Sequence, residues 1–164
     1  MQNTKVKLSK EIINYIDSYK NKSLFEINKI IVKWAYGTNK KYLSKYYKLI
    51  GLKDYSIYLV NTKELINKAD FGEMGHTKLK PDILFNGIDE RDFRIAKLLE
   101  HWGDGGFIDP PEIFINNLPN ISFNDGRHRT IVAFHLGEKE IPVIIHNTLI
   151  EKISSITKLN KKLF

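Results

Sequence analysis

Residues 123–130, FNDGRHRT, set two arginines and a histidine directly behind a glycine. They stand where an apolar strand-like run, ISF, gives way to an apolar helix-like run, TIVAF. That order suits anion chemistry. Gly126 permits a tight turn and close approach of a ligand to the backbone. The first amides of a following helix, those of Arg127 to Thr130, lack intrahelical acceptors and carry the positive end of the helix dipole. Arg127 and Arg129 add planar forks for phosphate oxygens, and His128 can donate as well. Cations at a helix N-terminus oppose the dipole by a few tenths of a kcal/mol each, about the size of a weak surface contact. The placement is locally unfavourable until an anion arrives, so it points to phosphate. The competing reading of the same residues is a solvated turn that happens to be basic.

Phosphoryl transfer or hydrolysis also needs a carboxylate to orient or deprotonate the nucleophile, usually with Mg²⁺. Asp125 adjoins the turn and could serve there or cap the helix. Glu73 lies in the glycine-flanked stretch GEMGH beside His76, which suits a catalytic loop, and Glu64 and Asp70 occupy the same region. Together with His128 as acid or base, Glu73 and Asp125 are the catalytic candidates. Glu100 and Asp104 flank GDGG and read as solvated. His76, His101 and His135 show no metal-ligand spacing, and no metal site is expected. Neither a G-x-S-x-G nor a Walker motif occurs.

Composition narrows the classes. The chain has 164 residues, 42% of them hydrophobic, enough for one ordinary domain with a core. It holds no cysteine, which excludes thiolate nucleophiles, disulfides and zinc–cysteine sites. The early residues show no apolar block of the kind that marks a leader, and no stretch has the apolar length of a membrane span, so a cytoplasmic protein with no membrane partner is expected. The net charge of +7 is uneven. Residues 1–53 carry twelve lysines against three acids, a net +9, whereas residues 54–164 balance fourteen basic against sixteen acidic residues, a net −2. Such asymmetry suggests a polyanion, DNA or RNA, for the basic part, or lysine simply filling solvated helix faces.

The elements that must position these residues follow from periodicity. Ser9 is placed to cap a helix through about Tyr19, with Ile12, Ile13 and Ile16 on one face. Ser23 and Glu26 have capping-box spacing, and Ile27, Ile30, Ile31 and Trp34 then predict an amphipathic helix that Gly37 ends. A third helix is predicted over 38–49, where Lys40, Lys41, Lys45 and Lys48 stand among Tyr42, Tyr46 and Tyr47. Lysines for phosphates and tyrosines for bases make it a candidate nucleic-acid surface, or a packing cap whose tyrosines are core. Residues 55–60 read as a strand, 61–69 as a short helix or extended segment, and 71–87 as loop with a short strand at 83–85. Asp89 is placed to cap a helix carrying Ile95, Leu98, Leu99 and Trp102, ended by GDGG. Residues 112–124 predict a hairpin, 128–135 a helix, 141–145 a strand, and 148–164 a C-terminal amphipathic helix. Trp34 and Trp102 read as core.

The stretch FNDGRHRTIVAFHLGEKEIPVII, with GFIDPPEIFIN upstream, resembles the ParB/sulfiredoxin superfamily. The match runs through Gly126, Arg127, His128 and Arg129, then Ala133, Leu136 and Gly137, then Ile141, Pro142 and Val143, and covers roughly residues 55–146. The resemblance implies an α+β fold, a small mixed sheet with flanking helices over 54–147. A basic helical segment at 1–53 precedes it and the C-terminal helix follows. It implies that Gly126, Arg127, His128, Arg129 and Thr130 hold nucleotide phosphates, with ATP or CTP and Mg²⁺ as cofactor. Arg127 stands where sulfiredoxins have their catalytic cysteine, so sulfinic-acid reduction by that route is excluded. Only about eighteen residues follow the last predicted strand, where partition proteins have a DNA-reading helix-turn-helix, so a centromere-binding partition protein is not expected unless the N-terminal helices read DNA instead. The expected function is nuclease or NTPase activity. A non-catalytic DNA-, RNA- or protein-binding adaptor and a small-molecule kinase of the free-serine type are the alternatives.

Overall fold

The structure, a computed structural model, describes residues 9–74, 77–78, 81–87, 89–116 and 120–163. The architecture is α+β, built on a five-stranded mixed sheet in the order β5-β4-β6-β1-β7. Its strands are β1 (Tyr55–Asn61), β4 (Glu112–Ile115), β5 (Ile121–Asp125), β6 (Glu140–His146) and β7 (Leu159–Lys162). Strands β4 and β6 pair in parallel, and every other neighbouring pair is antiparallel. The hairpin expected over 112–124 is formed by β4 and β5, with its turn residues 117–119 outside the described ones.

The central strand β6 is buried on both faces, and its alternation divides the core. Ile141, Val143 and Ile145 face the larger cluster, which also holds Leu65, Ile95, Leu99, Trp102, Ile131 and Val132. Those residues come from α4 (Thr62–Lys68), α5 (Asp89–Gly103) and α6 (Arg127–His135). Ile144 faces the opposite way, against Ile57, Ala35, Leu43 and Tyr47. The N-terminal segment therefore covers the second face of the sheet, which would otherwise leave β-branched side chains in water.

That segment is less helical than its periodicity predicts. Helix α1 (Lys10–Lys20) forms with the Ser9 cap accepting from the Ile12 amide, and the Ser23–Glu26 capping box is made. Its helix, α2 (Leu24–Ile27), stops after one turn. The β-branched run Ile30-Ile31-Val32 weakens helix propensity, and residues 33–35 instead clip alongside Ile108. Two backbone bonds, Ala35 N–H to Ile108 O and Ile108 N–H to Lys33 O, hold the clip. Trp102 donates its indole N–H to Lys33 O, and Trp34 packs edge-on against Trp102 at 5.3 Å between centroids. The helix expected over 38–49 is broken at Leu43–Ser44 into a 3-10 turn, Gly37–Tyr42, and α3 (Lys45–Ile50). Leu43 turns inward there and Asp109 takes the Ser44 amide.

Two further expectations are corrected. Residues 83–85 are not a strand; they are a loop gripped by the start of α5. Fully buried Arg91 donates to the carbonyls of Ile83 and Leu84, while buried Asp92 accepts from the amides of Asn86 and Gly87 and pairs with Lys20 at 2.9 Å. The small hairpin of the region lies earlier, β2 (Glu73–Met74) against β3 (Thr77–Lys78). The single C-terminal helix is also absent. A short α7 (Ile150–Ser154) ends in the poor helix formers Ser154, Ser155 and Thr157, and the chain then adds β7 to the free edge of β1. Lys161 and Lys162 on this outer strand discourage further edge pairing. No helix among the described residues is long and apolar enough to cross a membrane.

Candidate functional site

Strand β5 and helix α6 meet at Asp125-Gly126, and the sequence explains the junction. Gly126 takes φ +95°, and a Cβ there would lie 2.6 Å from the Pro111 Cα, so only glycine fits. Opposite, the β4–β5 register slips between Glu112 and Ile113. This bulge leaves Asn124 unpaired in the ladder and lets its amide reach Glu112 Oε1 at 2.8 Å. The same slip aligns Glu112 with Asp125. The turn is thus fixed by Pro111 on one side and by a strand irregularity on the other.

Helix α6 begins with no side-chain cap from Gly126. Asp125 stands just before it, accepting the Gly126 N–H on Oδ1 and the Arg129 guanidinium on Oδ2, at 2.7 and 2.5 Å, and leaves the first-turn amides of α6 uncapped. Arg129 itself is buried, whereas the Asp125 side chain is 68% exposed. The pair places a built-in carboxylate at the positive end of the helix, which answers part of the frustration that its cations create.

A cleft of about 520 Å³ opens between this turn and α5. Asp125, Gly126, His128 and Arg129 form one wall, and α5 contributes Phe93, Arg94, Lys97 and Leu98, with Glu100, His101 and Asp104 further along. Arg94 and Lys97 are exposed and paired with Glu90 and Glu100 of their own helix. Such pairs are worth at most about 1 kcal/mol, so both cations are available to an incoming anion at little cost.

His128 lies on this wall with its Nε2 buried and without a hydrogen-bond partner among the described residues. Burial, reinforced by the charges of Arg94, Arg91 and Arg127, pushes its pKa down to about 4. It is therefore neutral at physiological pH, which denies it the role of a cationic phosphate ligand and keeps it an acceptor or a weak donor. His135, seven residues on, is also pushed down by burial, and its ring nitrogen meets Pro81 O at 3.0 Å as a packing residue.

Other members of the expected set are placed elsewhere. Arg127 turns away from the cleft: its Nη1 donates to Phe71 O, and the same nitrogen lies so close to Gly72 that a Cβ there would come within 2.7 Å. Arg127 thereby holds the loop that leads into Glu73. The Glu73 backbone enters β2, while its side chain and all of His76 lie outside the described residues. Thr130 is fully buried and its hydroxyl donates to Gly126 O, so it braces the turn and offers nothing to a ligand. Lys40, Lys41, Lys45 and Lys48 are exposed, and none is among the residues that line the cleft. Glu64 is tied to Lys68, which lowers its pKa, and Asp70 caps the Gly72 amide.

The sequence reading missed the second half of the cleft. Arg94, Lys97, Leu98 and His101 share one face of α5 at i, i+3, i+4, i+7, a spacing read there only for its apolar residues. It also missed Asp109 and Glu112, two buried carboxylates on either side of Pro110-Pro111. Among the described residues no group of three His, Asp or Glu side chains could hold a metal ion. No family model matches the chain, and no curated protein or solved structure matches it significantly.

Proposed function

We propose that this protein grips a phosphate-bearing ligand of nucleotide size in the cleft between α5 and α6, and that it acts as a nucleotide hydrolase. One observation carries the reading: the uncapped start of α6 opens onto a 520 Å³ cleft with Arg129 on one wall and Arg94 and Lys97 on the other. That volume lies in the range of small-ligand sites, and Phe93, Leu98 and Ile108 supply an apolar surface for a base. The likeness of residues 105–145 to ParB/sulfiredoxin proteins, carried in part by the same Gly126–Arg129 turn, favours a nucleoside triphosphate, ATP or CTP, as the ligand.

Mg²⁺ would come with the nucleotide, held by phosphate oxygens and at most one or two carboxylates, as is common for this ion. Asp125 fits that requirement, since its side chain is exposed at the turn. Asp125 is also the carboxylate placed to orient a water beside a phosphate on the α6 amides. Arg129 would neutralise charge on the phosphate, and the burial of His128 would keep a second proton donor from competing there. The nuclease form of the reading draws less support, because the four lysines of the α3 region do not extend the cleft. The adaptor form gains from the Asp125–Arg129 pair, which engages the carboxylate that hydrolysis would use.

A thermal-shift panel of ATP, CTP, GTP and their diphosphates, with and without Mg²⁺, tests the reading. At a ligand concentration of about 100 Kd the stabilisation is about 2.7 kcal/mol, a rise of several degrees in Tm. Arg129→Ala should cut the rise to half or less. No rise with any of the six nucleotides would refute nucleotide binding, and a rise without phosphate release would leave the adaptor.

A further inference from the structure

A second cavity, of about 300 Å³, shares Asp125 with the phosphate cleft and is otherwise lined by residues of opposite character. Tyr46, Tyr47, Asp109, Glu112 and Asn124 form its walls. Two of these are carboxylates more than nine-tenths buried, Asp109 at 8% exposure and Glu112 at 7%. Among the described residues, each has only neutral partners. The Ser44 amide donates to Asp109 Oδ1, the Tyr47 hydroxyl to Glu112 Oε2 and the Asn124 amide to Glu112 Oε1, all at 2.8 Å. Asp109 Oδ2 has no partner among the described residues. Asp109 itself is one of the residues that line the cavity.

Buried carboxylates are ordinarily matched by a cation, because hydrogen bonds from neutral donors do not replace the lost hydration of a full charge. No lysine or arginine forms an ion pair with Asp109 or Glu112 among the described residues. The guanidinium of Arg129, whose charge is felt at Tyr47, is engaged by Asp125. A cavity lined by both carboxylates gives the missing charge a place to come from.

We propose that this cavity binds a small organic cation, a compound bearing a primary ammonium or guanidinium group, with Asp109 and Glu112 as its counter-ions. A metal ion fits less well, because among the described residues no three ligating side chains converge and the space exceeds what a bare ion fills. An ammonium or guanidinium also suits the rim. Tyr46 is 56% exposed and stands edge-on to Tyr47 at 5.0 Å, so one face of its ring is available for a cation–π contact. The proposal does not depend on the phosphate reading: the two cavities select ligands of opposite charge and meet only at Asp125.

The test is calorimetric titration of the full chain with agmatine, putrescine and arginine methyl ester, with 1,4-butanediol as the uncharged counterpart and MgCl₂ and CaCl₂ as metal arms. Saturable binding of at least one amine or guanidine probe, and none of the diol, is expected. Asp109→Asn keeps the shape and an acceptor for the Ser44 amide and should weaken that binding by about tenfold or more. Tyr46→Ala, at an exposed rim position, should weaken it several-fold with the Tm of the unligated protein unchanged, and it decides the matter should the Asp109 variant not fold. The proposal is overturned by no saturable binding of any probe, by binding that Asp109→Asn and Tyr46→Ala leave unchanged, or by Mg²⁺ or Ca²⁺ binding where the amines do not. Arg129→Ala, which should weaken nucleotide binding ten- to hundred-fold, should leave amine binding in place, so failure of either site is read separately.

Discussion

Asp125 and Arg129, one helical turn apart, close an ion pair across the N-terminus of α6 at the point where two cavities meet. The carboxylate occupies part of the ground that a phosphate would claim, accepting both a backbone N–H and the guanidinium. A ligand anion must either displace it or bind beside it. Replacing Asp125 with Asn keeps an acceptor for the Gly126 amide and removes the competing charge. Anion affinity in Mg²⁺-free buffer should rise about fivefold, the equivalent of ~1 kcal/mol for a partly exposed charge pair. Titration with inorganic phosphate or sulfate measures it, and a loss of affinity would contradict the competition.

The two arginines of the motif should separate cleanly. Arg129→Ala removes a charged donor from the cleft wall and should cost about 1.5–3 kcal/mol of ligand binding, ten- to hundred-fold. Arg127→Ala instead frees the Phe71–Gly72 loop and should lower Tm by a few degrees with affinity changed less than threefold. Parallel melting and binding measurements on the two variants decide it.

Gly126→Ala should be among the most damaging small substitutions. It combines a left-handed backbone with a Cβ placed against the Pro111 backbone. The expected loss is about 2–3 kcal/mol, read by urea denaturation against Gly137→Ala. Gly137 also has positive φ but open space around its Cβ position, and should cost only about 1 kcal/mol.

His128 gives the protein an acid limit. Its folded-state pKa of about 4 lies below the ordinary value near 6.5, so between those pH values the unfolded chain binds more protons. The stabilisation from a neutral His128 is complete above about pH 6.5 and is lost as pH falls toward 4, by up to about 3 kcal/mol. His135, shifted the same way, adds to the slope. Stability measured between pH 4 and 7 should rise with pH, and His128→Gln should flatten the rise by more than His135→Gln does.

Much of this was legible in the sequence where local rules and packing agree. The β1 run, the α5 stripe, the β4–β5 hairpin and the glycine-led start of α6 each have one dominant period or punctuation, and each formed within a residue or two of its expected bounds. The misreadings share a cause. Residues 27–34 have helical spacing, but Ile30-Ile31-Val32 is also a strand sequence, and the partner that settles it, Ile108, is more than seventy residues away. The C-terminal segment likewise became an edge strand because β1 offers an unpaired side, which no local pattern announces. Within the site, the motif residues were found but not their directions. Arg127 and Arg129 differ by two positions on a helix, about 200° around its axis, so one lines the cleft and the other braces a loop.

The central claim is that the start of α6 is the phosphate contact. The most direct measurement is an amide ¹H–¹⁵N titration of the protein with a nucleoside diphosphate. Saturable shifts concentrated at residues 126–129, with smaller ones at Arg94 and Lys97 across the cleft, are expected. Shifts confined to the lysines of the α3 region, or none at 126–129 at saturating ligand, would contradict it.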